Sequence, residues 1–139
     1  MPAFQKFNDF TRQVLNKEHD IDSDAITIAL TNTAPVAGND YLNDIAEISY
    51  TGLSSRVLVN KVLSTSGGVA KFTADDLTLT GSSPFGPFRY VVIFNDTPAT
   101  SAAKGLIGFG DYGSSITQAA GDPLIIDFDQ TNGIFTFGP

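Results

Sequence analysis

The sequence holds a single histidine, His19, and no cysteine. A histidine-based nucleophilic triad would have to be built around His19, and disulfides and thiolate-ligated metal sites are excluded. The stretch Asp20-Ile21-Asp22-Ser23-Asp24 has the alternating carboxylates that open a calcium loop. Ala25, however, stands where such a loop needs a glycine for its sharp turn, and Thr31 where it needs a bidentate glutamate. Asp127 and Asp129 lie two apart, which on a strand turns both carboxylates to one face, as paired-carboxylate hydrolysis would require. Gly105, Gly108 and Gly110 give a glycine-rich run, but two residues separate the first pair and no helix follows, so a dinucleotide cradle fails on spacing and context. Each motif has a plainer reading. His19 complements a helix dipole, the acidic stretch is a solvated turn, and the two aspartates sit on a solvent face. We expect no catalytic residue, no metal and no cofactor.

The residues that could bind rather than react are aromatic. Phe4, Phe7 and Phe10 bring three rings into seven residues of an otherwise polar segment. They either close the domain's own core or anchor it to a partner. Phe85-Gly86-Pro87-Phe88 places two rings around a tight turn, which suits a loop packed against a neighbour or a buried turn. These five phenylalanines are the candidate partner-binding residues.

The elements that must position them follow from periodicity. Phe7, Phe10, Val14 and Leu15 predict one short amphipathic helix within residues 4–19, with Asn8 as its cap. Ile26, Ile28 and Leu30 then alternate with Thr27, Ala29 and Thr31 as in a half-buried strand. Asn32 to Asp40 is a loop around Pro35, and Tyr41 to Ile48 reads as a helical turn or a strand. Further strands are expected over residues 56–63, 69–73, 76–80, 88–95, 104–111, 123–129 and 133–137. Arg89 to Phe94 is apolar on both faces and predicts a central strand, whereas Leu77 and Leu79 alternate with Thr78 and Thr80 as at a one-sided position. The fold class is therefore all-β: an antiparallel β-sandwich or jelly-roll-like barrel of about eight strands with one short N-terminal amphipathic helix. At 139 residues and 42% apolar composition, the chain reads as one domain over 1–139, with 1–20 as an N-terminal helical arm.

Eight Lys and Arg against fifteen Asp and Glu give a net charge of -7, which disfavours nucleic acid and anionic lipid as partners. The opening residues lack the pattern of a signal peptide, and no apolar stretch approaches the roughly 20 residues that span a bilayer. A soluble protein is expected.

Three segments carry a family resemblance: Ile28-Ala29-Leu30-Thr31-Asn32-Thr33-Ala34-Pro35, then Gly86 to Thr97 (Gly-Pro-Phe-Arg-Tyr-Val-Val-Ile-Phe-Asn-Asp-Thr), then Leu106 to Thr117 (Leu-Ile-Gly-Phe-Gly-Asp-Tyr-Gly-Ser-Ser-Ile-Thr). With the closing Ile126-Asp127-Phe128-Asp129, they resemble a family of small tailed-phage structural proteins over nearly the whole chain. Gly108-Phe109-Gly110 departs from it where similar proteins carry bulkier aromatics. The resemblance implies a capsid decoration (cement) protein, made in the host cytoplasm and placed on the capsid exterior of the virion. Its partners would be the major capsid protein and itself, as a homotrimer, and it would not be an enzyme. The alternatives are a tail or neck protein forming a ring, and a glycan-binding sandwich in which Tyr41, Tyr50 and Tyr112 stack on sugars.

Overall fold

The computed structural model describes residues 4–139; the first three residues of the expected arm lie outside that range. The described residues form nine strands, all paired antiparallel, and one short α-helix. In chain order these are β1 (Gln5–Lys6), α1 (Phe10–Leu15), β2 (Ile26–Thr31), β3 (Val62–Ser66), β4 (Val69–Thr73), β5 (Leu77–Leu79), β6 (Phe85–Asn95), β7 (Leu106–Gln118), β8 (Leu124–Ile126) and β9 (Phe135–Phe137). A four-stranded sheet runs β1-β7-β6-β2, a three-stranded sheet runs β3-β4-β9, and β5 pairs with β8. No helix among the described residues is long and apolar enough to cross a membrane.

The sandwich follows from where the alternating side chains go. Ile26, Ile28, Leu30, Val91, Ile93 and Ile107 leave one face of the large sheet and pack on Phe72, Leu79, Ile126 and Phe135 from the small sheets. Ala29, Val92, Phe94 and Leu106 leave the opposite face and meet Phe7 and Leu42 in a second, smaller core. Two cores explain why β6 is apolar on both faces, as its sequence predicts. They also correct the half-buried reading of β2: all six residues are buried, because the second core covers the face that Thr27, Ala29 and Thr31 present.

The expected helix over residues 4–19 is shorter than its apolar spacing suggests. Gln5 and Lys6 pair with Phe109 and Gly108 of β7, so Phe4 and Phe7 flank a strand and only Phe10–Leu15 is helical. Asp9, not Asn8, occupies the cap, and Lys17 at φ 63° follows the helix end. The segment wraps the sheet edge, sending Phe7 to the small core and Phe10 to the large one. Phe10 stands edge-on to Phe135 at 5.1 Å and to Phe137 at 6.2 Å, and Lys6 Nζ donates to the Thr136 carbonyl at 2.8 Å.

The region expected as a strand over 56–63 divides. Residues 56–58 flank β2, with Arg56 O accepting from Ile28 N and Leu58 N donating to Ile26 O, and β3 begins only at Val62. Tyr41 to Ile48 resolves into a 3-10 turn at Leu42–Asp44. The β3–β4 hairpin closes on Gly67 and Gly68, both at positive φ (60° and 80°), the conformation a two-residue turn needs and glycine supplies without strain.

Candidate functional site

His19 lies inside a polar cluster at the junction of α1, β6 and the segment before β2. Its Nε2 is 2.7 Å from Gln13 Oε1 and its Nδ1 3.2 Å from Asn95 Nδ2. Gln13 and Asn95 are both fully buried, and their other bonds fix their orientation. Gln13 Nε2 donates to Asp9 Oδ2 and to the Asp40 carbonyl, so Oε1 must face His19. Asn95 Nδ2 donates to Asp24 Oδ2 at 2.6 Å while its Oδ1 accepts from Thr97 N. This arrangement assigns His19 as the neutral Nε2–H tautomer, donating to Gln13 and accepting from Asn95. Burial pushes the imidazole pKa below its ordinary value of 6.5, against the opposing pull of Glu18 and Asp24. The expected cation at a helix end is thus corrected: His19 is a neutral joint between elements.

The cluster also accounts for Gly105, read from sequence only as part of a failed phosphate motif. A Cβ at that position would lie 2.3 Å from Gln13 Oε1 and 2.8 Å from His19 Cε1, closer than side chains approach. Glycine is there because the polar cluster fills the space.

A pH dependence follows. The unfolded chain takes up the imidazole proton at 6.5 and the folded chain only at lower pH, so between those values the unfolded state binds more protons. Stability is complete above pH 6.5 and declines as pH falls through the folded value, by at most about 1.4 kcal/mol per pH unit. Asp9, Asp111 and Asp129, held low chiefly by Arg12, by Arg89 and by the Asn132 amide respectively, act only as pH falls below their ordinary 3.8. Urea unfolding of the parent and of His19→Gln above the carboxylate range is expected to show the slope in the parent alone. The same slope in both chains would reject the role of His19.

The remaining acidic candidates are structural. Asp24 Oδ2 accepts from Asp20 N at 2.8 Å as well as from Asn95, so it closes the acidic turn. No group of three or more potential ligands that could hold a metal occurs among the described residues. Asp127 and Asp129 fall beyond β8, which ends at Ile126. Asp129 caps a turn by accepting from Thr131 N and Asn132 N. The strand geometry that would pair the two carboxylates is absent there.

The five phenylalanines divide less evenly than the sequence suggests. Phe7, Phe10, Phe85 and Phe88 are each at most 4% exposed, and Phe4 is half-buried against Phe128, with centroids 5.9 Å apart. Phe85 to Phe88 is not a turn but the irregular start of β6. A register shift between the two rings lets residues three apart face the same core, where they stack at 6.0 Å and 6°. Fully burying such a ring is worth about 1.5–3 kcal/mol. Four of the proposed partner-binding rings are therefore committed to the chain's own cores.

The tyrosines are engaged as well. Tyr41 Oη donates to Glu18 and accepts from Arg12. The Arg56 guanidinium lies over the Tyr50 ring at 3.6 Å. Tyr112 Oη is buried without a hydrogen-bond partner among the described residues. A groove along α1, lined by Asn8, Thr11, Arg12, Leu15 and Asn16, offers one charge, and Arg12 already pairs with Asp9 and Glu18.

What remains at the surface is one edge. Of seven exposed large hydrophobic side chains among the described residues, Val57, Val59, Val62 and Leu63 fall within seven residues of sequence. All five residues of β3 are exposed, and among the described residues β3 pairs only with β4. By contrast, the outer edge of β2 is covered: Tyr50 Oη and Arg56 O accept from its amides, and Ile48 N and Leu58 N donate to its carbonyls. From Ile48 to Ala74 the chain holds Arg56, Lys61 and Lys71 but no Asp or Glu. The sequence predicts a strand over 56–63; only the sheet order shows that β3 lies at an edge.

Compared with known proteins, the chain matches no family model, no curated protein and no solved structure.

Proposed function

We propose that the chain is a binding protein of a tailed-phage virion, a capsid decoration protein that sits on the outside of the head shell and bridges major capsid protein subunits. The observation that carries this reading is the division of labour among the side chains. The groups capable of chemistry are tied into the fold, whereas β3 leaves an uncovered edge on a strand that carries exposed Val62 and Leu63 and no charged residue. Exposed apolar surface of this kind marks protein contact, not turnover. The three ordered sequence segments that resemble small virion proteins supply the biological setting. Partner contact falls to Val57, Val59, Val62 and Leu63, with the phenylalanines holding the body rigid behind them.

Cryo-electron microscopy of the virion that carries this chain tests the proposal. Density outside the shell, bridging capsid subunits, is the expected result. Density confined to the tail or neck would replace decoration with a ring-forming role. Hydrolysis of any substrate by the purified chain would overturn both.

A further inference from the structure

The free edge of β3 has a geometry that selects its occupant. A two-residue turn makes its flanking pair, Ser66 and Val69, a hydrogen-bonded pair. Alternation then turns the N–H and C=O of Leu63 and Thr65 away from β4, and no backbone bond among the described residues takes them up. Edge strands are ordinarily blunted by charge, proline or a bulge. β3 has none: its sequence is Val-Leu-Ser-Thr-Ser and its register with β4 is unbroken from Val62 to Ser66.

We infer that this edge seats a second copy of the chain, β3 against β3, antiparallel about a twofold axis through Ser64. That register sets Leu63 of each copy opposite Thr65 of the other, so the two outward residues on each side exchange four backbone hydrogen bonds. The result is a continuous six-stranded sheet, β9-β4-β3 meeting its own image. It places no charged residue of either β3 against another.

Charge argues for self-pairing at this edge. Two copies of a chain with net charge -7 repel wherever carboxylates meet; β3 itself carries none, and the Asp75 carboxylate beside it is held by the Asn60 amide at 2.6 Å. The two lysines nearest the strand are turned back on their own chain, Lys61 to the Asp24 carbonyl and Lys71 to the Thr131 carbonyl, which withdraws the remaining like charges from the contact. A standard interface buries roughly 1,600 Å², more than a five-residue strand pair supplies. The pairing therefore belongs to the weak class that high local concentration drives, as on a crowded shell. The inference rests on reading the β3 edge as a docking surface.

Sedimentation velocity of the full chain over a dilution series, with no shell present, tests it. The expected mass rises from one protomer to two with concentration. Thr65→Pro removes an outward N–H that β4 does not use, and Leu63→Lys adds a charge at the seam; each is expected to weaken pairing about tenfold or more. Amide exchange on the unaltered chain is independent of either variant's folding: Leu63 and Thr65 amides should slow as concentration rises. A chain monomeric to millimolar concentration, a threefold mass, or doubling that leaves these two amides unprotected would each overturn the pairing. A monomeric chain that still decorates shells would overturn the pairing alone and leave the proposed function standing.

Discussion

Phe10→Ala is expected to destabilise the folded chain by about 3–5 kcal/mol, a large fraction of the roughly 5–15 kcal/mol that holds a domain together. The ring is 1% exposed. It stands edge-on to Phe135 and Phe137 and lies 5.2 Å from His19, so its removal opens a cavity where the large core meets the polar cluster. Leu15→Ala on the same helix is the internal control. With Leu15 76% exposed, that change should stay within about 0.5 kcal/mol. Urea midpoints of the two variants test the contrast. Equal small losses would return Phe10 to the role of an anchor for a partner.

The second large effect is expected at Asn95. Asn95→Leu keeps the volume but removes the amide that donates to Asp24 and His19 and accepts from Thr97 N. His19 and Asp24 stay half-buried beside the new apolar side chain, and losing their hydrogen-bond partner there costs about 1–3 kcal/mol. Because Gln13, His19, Asn95 and Asp24 act as one network, His19→Gln in the Asn95→Leu background should cost much less than it does in the parent. A double-mutant cycle by urea unfolding measures this. Strict additivity would mean that the groups do not support one another.

These two residues also mark how far the sequence could be read. The strands declared themselves through alternation and through the two-sided apolar run at Arg89 to Phe94, because those patterns depend only on local backbone period. The helix was overextended because Phe4, Phe7 and Phe10, spaced like helical neighbours, in fact belong to the flanks of a strand and the start of a helix. Whether those rings face a core or a partner is decided by Phe109, Phe128 and Phe135, far along the chain, and no local signal carries that choice. The same holds for His19, whose neutrality depends on Asn95, and for Gly105, whose small size matters only once Gln13 and His19 are placed beside it. The β3 edge escapes local reading in the same way. The sequence predicts a strand over 56–63, and sheet order alone reveals that one side of β3 has no neighbour among the described residues.

The contact between the aromatic segment at residues 4–10 and the strand at 135–137 has a consequence for biosynthesis. Phe10 is made long before Phe135, against which it rests and which appears only after the other eight strands. Phe10 is thus among the last core rings to be covered, and the large core cannot close around it while the chain is still growing toward β9. A nascent chain offers this ring to holdases throughout, and a product cut short upstream of Phe135 keeps it bare, which marks it for aggregation or degradation instead of assembly.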